Sequence, residues 1–328
     1  MGSVALANRG LKNSTTVRAE MAVSAHLPRE ISKRGFLARI MLLRLPFFNR
    51  AERAADLFCT PMPGTRARSL TVAAPEFMRQ TITEGAIRYQ AYILGNPTQQ
   101  PYILCAHGWS SFGLRFAPWA RAAQAAGFAL VSFDHSAHGR SSGHLATFPS
   151  FVAGINAMRG AFGAPAAAVG HSFGAAALAL AAAENALHCP LVLVAPPADL
   201  MVAIRFFVRR VKLPMRFVDA IAAVISARVG RDVRSFAAKT STVNIRKSVL
   251  VIHDVADNEV SWNAGAQYAM LATNARMLST TGLGHHRVLN DDSTIRAALA
   301  HISGASISGH PVGEKLLVSN ADLQDALA

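Results

Sequence analysis

The sequence predicts an α/β fold: a mostly parallel sheet with helices on both faces. Three observations carry this. Short, uninterrupted apolar runs recur along the chain, and helix-like stretches separate them. Third, 51% of residues are hydrophobic and only 16% charged, enough to bury a large core. Disorder, collagen and coiled coil are excluded for the bulk of the chain. At 328 residues two domains would fit a prior of ~150 each, but α/β folds of this size are often one.

In chain order, residues 1–30 read as a tail. They are rich in Arg and Ser, and no uninterrupted apolar stretch precedes Phe36, which argues against a cleaved secretory signal. Phe36 to Phe48, with Arg39 and Arg44 inside it, is too short to cross a bilayer. It packs on the body or lies at an interface. Ile87, Tyr89, Ala91 and Ile93 then alternate with Arg88, Gln90 and Tyr92, the period of a half-buried antiparallel strand.

Tyr102–Ala106, Ala129–Phe133, Ala166–Val169, Leu191–Ala195 and Ser248–His253 are continuous apolar runs and read as fully buried parallel strands. Arg276–Ser279 is a further, late strand. Pro118–Ala126, Phe151–Phe162 and Phe173–Leu187 read as the intervening helices. The uncharged run Ala161 to Ala183 is long enough to suggest a membrane span, but Pro165, Gly170, His171, Ser172 and Gly174 interrupt it. Residues 198–247 break the strand–helix rhythm with a basic, helix-patterned insertion, the natural place for a lid. The expected organisation is an N-terminal tail and apolar segment (1–68), a sheet-bearing domain (69–303) with its insertion (198–247), and a C-terminal tail (304–328).

The net charge of +14 is unevenly spread. Residues 1–68 hold twelve Lys/Arg against four acids, and residues 198–247 hold eleven against three; the other 210 residues carry ten against twelve. No helix-turn-helix, RNP-type or Cys/His signature accompanies the basic segments, so nucleic acid is not expected as a partner. An anionic lipid surface or an anionic substrate stays open. Cys59, Cys105 and Cys189 form neither a disulfide framework nor a metal-ligand spacing, and no H-E-x-x-H occurs, so no metal or cofactor is expected.

The sharpest chemical signal is Gly170-His171-Ser172-Phe173-Gly174, a G-x-S-x-G with a buried strand before it and an alanine-rich helix after it. Glycine is needed on both sides because the turn carrying the serine is too tight for neighbouring side chains. The helix start directs backbone N–H groups and its positive dipole end at a developing oxyanion. A serine hydroxyl needs a base, and the base an acid. On such a sheet the chain order is Ser, acid, His. Asp254, Asp257 and Glu259 crowd the end of a late strand, and His285 and His286 follow the next one.

With these motifs, residues 85–303 resemble a serine hydrolase of the α/β-hydrolase superfamily. His107-Gly108-Trp109 matches the strand-end signature near the oxyanion loop. Asp134, His138, Gly139, Arg140 and Ser141 match a D-x-x-x-H-G-x-S pattern. The resemblance implies the α/β-hydrolase fold and a triad of Ser172, Asp257 and His285, with Asp254 as the fallback acid. The histidine is His285 rather than His286 because the family's histidine directly follows a glycine. It further implies oxyanion donors at the amides of Trp109 and Phe173, with Trp109 and Phe112 lining the acyl side. His107 and His138 are read as loop-ordering residues.

The expected activity is hydrolysis of a carboxylic ester or related acyl bond through an acyl-enzyme, the substrate being a small ester or a lipid. Acyl transfer, a membrane-associated lysophospholipase or lipase activity, and a non-catalytic binding role on the same fold are the alternatives. The expected location is cytoplasmic, with attachment to a membrane surface as the variant.

Overall fold

A computed structural model describes residues 32–43, 49–304 and 317–319. The tail read at 1–30 and Arg44 to Phe48 of the apolar segment lie outside the described residues. Among the described residues nine strands form one sheet, in the order β1-β2-β4-β3-β5-β6-β7-β8-β9. They are β1 (Met78–Glu84), β2 (Ile87–Leu94), β3 (Tyr102–Ala106), β4 (Ala129–Phe133), β5 (Ala167–His171), β6 (Leu191–Val194), β7 (Val249–Asp254), β8 (Ala275–Thr280) and β9 (Leu317–Ser319). Strands β3 to β8 run parallel, while β1, β2 and β9 pair antiparallel at the edges. Strands β3 to β7 are the continuous apolar runs of the sequence, because residues on both of their faces are covered, whereas β8 exposes Arg276. Leu104 and Ala106 of β3 enter one core, and Ile103 and Cys105 enter the other.

Strand β2 departs from its half-buried expectation. Tyr89 and Ala91 lie in one core, Tyr92 and Leu94 in the other, and Gln90 is buried with its amide nitrogen on the carbonyls of Gln80 and Ala91. Both faces are covered, so the period of two separates two cores rather than core from water. The edge strands β1 and β9 had no counterpart in the sequence reading. β1 (MRQTITE) is polar and exposed, and β9 lies in the segment read as a C-terminal tail.

The helices are α1 (Lys33–Leu42), α2 (Arg50–Phe58), α3 (Thr65–Thr71), α4 (Ala120–Ala125), α5 (Phe148–Phe162), α6 (Phe173–Ala183), α7 (Leu200–Arg210), α8 (Phe217–Val229), α9 (Ala238–Ser241), α10 (Trp262–Leu271), α11 (Gly284–Arg287) and α12 (Asp292–Ile302), with three short 3-10 turns. The run 161–183 is the end of α5, strand β5 and helix α6, a strand–turn–helix rather than a span. Among the described residues no helix is long and apolar enough to cross a membrane.

The boundary read at residue 68 marks the approach to the sheet, not an edge of packing. Buried Arg66 donates from one guanidinium nitrogen to the carbonyls of Gly139 (2.7 Å) and Ser141 (2.8 Å), and from the other to Gly143 (2.9 Å). The Met62 amide donates to Ser110 Oγ at 2.8 Å. Helix α2 packs on the insertion through the Phe58–Phe207 ring pair, Arg50 over the Phe217 ring and an Arg228–Asp56 ion pair. The apolar segment divides in two. Phe36 and Leu43 are buried, whereas Leu37, Met41 and Leu42 face outward.

Candidate active site

The order in which successive strands join the sheet reverses at β3: β4 lies on one side of it, β5 on the other, and all three run parallel. Loops leaving the ends of β3 and β5 diverge there, which is where open α/β sheets bind ligands. Ser172 follows β5 directly and sits at φ 52°, ψ −123°, a left-handed backbone that a non-glycine residue adopts only under strain. Its neighbours explain how the turn is possible. A Cβ at Gly174 would fall 2.4 Å from the carbonyl oxygens of Ala106 and His107, and one at Gly170 would fall 2.5 Å from Ala175 Cα. A Cβ at Gly108 would fall 2.9 Å from Ser172 Cβ, so the loop after β3 lies directly against the serine. Ser172 is half-buried and open to a small reactant.

Two backbone amides of the adjoining segments have no backbone acceptor among the described residues. The Phe173 amide is the first of α6 and so has no intrahelical acceptor. Trp109, on the loop after β3, makes no backbone hydrogen bond through its amide among the described residues. Its ring meets Phe173 edge-on at 5.6 Å and stacks on Phe151 at 6.2 Å. Phe148 continues this aromatic wall to Phe236 of the insertion. Phe112 is buried in the core behind the loop.

Asp257 stands three residues past β7 and His285 in α11, just past β8. Asp257 Oδ2 lies 2.7 Å from His285 Nδ1, and both side chains are almost wholly out of water. Asp257 Oδ1 accepts the amides of Glu259 and Val260 at 2.8 and 2.9 Å. Burial alone would raise this carboxyl. Hydrogen bonds from His253, His285 and the Val260 amide outweigh it and hold the acid ionised, well below the usual carboxylate range.

Asp254 makes different bonds. Its Oδ2 accepts from Thr280 Oγ1 (2.7 Å) and the Leu283 amide (2.9 Å), and Oδ1 from the Ala256 amide (3.0 Å). It ties the loop after β7 to the loop carrying His285. His286 is exposed and pairs with Glu259 at 2.9 Å. Ser172 and His285 are brought to the same strand ends by His171, whose Nε2 meets the His285 carbonyl oxygen at 2.8 Å. Among the described residues Ser172 Oγ makes no hydrogen bond to His285, a contact that free enzymes often leave loose.

His107 and His138 order loops. His107 Nδ1 meets the Gly108 carbonyl (2.7 Å), and its Nε2 accepts the His135 amide (3.0 Å). His138 Nδ1 meets the Ser136 carbonyl, and its Nε2 accepts the Ser110 amide at 3.0 Å. Each ring must stay neutral to accept. Burial lowers all of them: His107 and His135 fall far below the ordinary value, His138 to about 4 and His171 to about 3. Asp134 gathers Tyr92 Oη and the amides of Gly113 and Arg140, each at 2.7 Å. Among the described residues no group of three His, Cys, Asp or Glu is arranged to hold a metal ion.

Three features escaped the sequence reading: the His171–His285 contact, the Arg66 clamp and the approach of His253 to Asp257. His171 stood out only as part of the elbow, and nothing along the chain marks the other two.

A comparison with curated protein sequences gives no match. Among solved structures, the chain is similar to the thioesterase domain from the curacin biosynthetic pathway (19% identity over 69% of this chain and 99% of that one, TM-score 0.51). It is also similar to the alpha/beta hydrolase domain-containing protein 10 from mouse (18% identity, 69% and 97%, TM-score 0.55). A third is the Pyrococcus furiosus esterase Pf2001 (17% identity, 70% and 91%, TM-score 0.53). At these identities the likeness is one of fold. Residues 103–312, more than half of the sequence, match the alpha/beta hydrolase family, and the chain belongs to it.

Proposed function

We propose that the protein is a serine hydrolase that cleaves a carboxylic ester, or a related acyl bond, through an acyl-enzyme. The observation that carries this reading is the buried Asp257–His285 contact, held beside the strained Ser172 turn by the His171 bond to the His285 backbone. Ser172 Oγ attacks the acyl carbon while His285 Nε2 takes its proton. The tetrahedral oxyanion is met by the Phe173 and Trp109 amides, a contribution of about 3–4 kcal/mol per donor in comparable sites. His285 returns the proton to the leaving alcohol. Water, activated by the same imidazole, then frees the acid and restores Ser172. Asp257 keeps Nδ1–H of His285 oriented and offsets the imidazolium charge. The aromatic wall of Trp109, Phe148, Phe151 and Phe173 supports an apolar acyl side, with residues 198–247 as the lid over it.

The test is hydrolysis of p-nitrophenyl esters of rising acyl length by the wild type and Ser172→Ala. Activity that the alanine abolishes supports the assignment. Residual activity within tenfold of wild type overturns it.

A second reading concerns where the enzyme works. On α7, Val202 and Phe206 lie exposed on the outer face, Phe206 at 68%, with Arg209 and Arg210 a turn further on. On α1, Leu37 (59%) and Met41 (67%) follow Arg34 with the same outward pattern. Apolar side chains flanked by cations suit an anionic lipid surface and a lipid-derived ester. Co-sedimentation with anionic but not neutral vesicles, weakening as salt rises, supports this reading. Equal binding to both overturns it.

A further inference from the structure

His253, the fifth residue of β7, is buried beneath the acid loop and has no part in the triad as described so far. Its side chain and that of Asp257 are both wholly out of water, and His253 Nε2 lies 3.2 Å from Asp257 Oδ2. This is the oxygen that meets His285 Nδ1 at 2.7 Å. The same Nε2 lies 3.0 Å from the Val260 carbonyl oxygen. Both neighbours of Nε2 can only accept, so Nε2 carries the hydrogen in either protonation state and shares it between them. On the other side of the ring Nδ1 has no partner. It faces Gly265 of α10, where a Cβ would fall 2.4 Å from it, so α10 is shaped around an imidazole.

An aliphatic residue would fill this space without leaving a buried nitrogen unpaired. What such a residue could not supply is the hydrogen on Nε2. Resting on the triad reading above, we infer that His253 is a positioning residue for catalysis, donating to Asp257 Oδ2 and setting the strength with which that oxygen holds the proton of His285.

The chemistry follows from sharing. An oxygen that already accepts from His253 is a weaker base toward His285, so the imidazole releases its proton to the leaving group more readily. Without the donor, Oδ2 grips the His285 proton more tightly and the imidazole stays protonated to higher pH. The other groups bearing on this pair stay in place. His171 sits on the His285 carbonyl, His286 is paired with Glu259, Arg115 bears on His171, and Asp254 is turned to Thr280 and Leu283.

The experiment measures kcat/KM against pH for p-nitrophenyl acetate in wild type, His253→Phe and His253→Gln, normalised by active sites titrated with a fluorophosphonate. His253→Leu replaces the phenylalanine variant if that one does not fold. Loss of the donor is expected to move the acid limb upward by about 0.5–1 pH unit. Glutamine, whose Nε2 sits at the same reach, is expected to keep the wild-type limb. A role in packing alone would lower Tm and the number of titrated sites and leave the limb where it was. An unmoved limb in the donorless variant overturns the inference, as does a glutamine limb that moves equally far. Ser172→Ala measured alongside separates the two proposals. Hydrolysis surviving there overturns the serine reading, whereas hydrolysis lost there with an unmoved limb overturns only the role of His253.

Discussion

His171 Nε2 lies 2.8 Å from the carbonyl oxygen of His285, so the residue before the nucleophile holds the backbone of the proposed base. The carbonyl can only accept, and the hydrogen therefore resides on His171 Nε2. One ring thus joins the two loops that must stay in register for proton transfer.

Replacing this ring tests the register directly. His171→Leu keeps the site apolar but frees the His285 backbone. A displacement near 1 Å costs on the order of 10²-fold in rate. We expect kcat to fall by about that factor while KM for a p-nitrophenyl ester changes little. A kcat within twofold of wild type would show that His285 is held by other means.

His285→Ala and His286→Ala separate adjacent imidazoles. His285 is buried on Asp257, while His286 is exposed on Glu259. The first change should remove on the order of 10⁶-fold in kcat, and the second should leave activity within about threefold, in keeping with an exposed pair. The reverse result would place the base one residue further on.

The two acids should separate in the same way. Asp257→Asn leaves the geometry but loses the charge opposite the imidazolium and is expected to lower kcat by on the order of 10⁴-fold. Asp254 instead accepts from Thr280, Leu283 and Ala256 and does not meet His285. Asp254→Asn should therefore appear first in Tm, with kcat reduced less than about tenfold. Thermal scans beside initial rates decide it.

These pairs show how far the sequence could be read. The tight turn at Ser172 and the strands β3 to β7 were legible because tight turns demand glycine and doubly covered strands demand continuous apolar runs. β1 was not legible: its polar MRQTITE run is an edge whose register comes from β2 rather than from its own pattern. Position along the chain alone did not separate Asp254 from Asp257; the resemblance favoured Asp257. They differ only in which way the loop after β7 turns, and that depends on amide donors from Val260 and Leu283. Arg66 looked like part of a basic tail because its acceptors are backbone carbonyls, which leave no mark in a sequence.

Stability should fall on mild acidification. The imidazoles of His107, His135, His138 and His171 are all lowered by burial and are held neutral in the folded chain. The unfolded chain takes up their protons near the ordinary value of 6.5. Stability from these groups is thus complete above that pH and is lost as pH drops toward the folded values of about 4 for His138 and about 3 for His171. Each group adds about 1.4 kcal/mol per pH unit within its window. His135 has no partner at either nitrogen among the described residues and stacks on Phe151 at 3.8 Å. His135→Leu should reduce the slope by up to one group's share in urea titrations between pH 7 and 5. An unchanged slope would mean that this ring does not stay neutral in the fold.

The Arg66 clamp also imposes an order in time. Its acceptors lie 73, 75 and 77 residues further along the chain. At about 5–20 residues per second of synthesis, the guanidinium emerges roughly 4–15 s before the carbonyls it will bind. During that interval α2 and α3 have neither the clamp nor the insertion to pack on. The N-terminal helices therefore cannot finish folding as they leave the ribosome. Their packing is complete only once residues 139–143, and later the insertion carrying Phe207, Phe217 and Arg228, have been made.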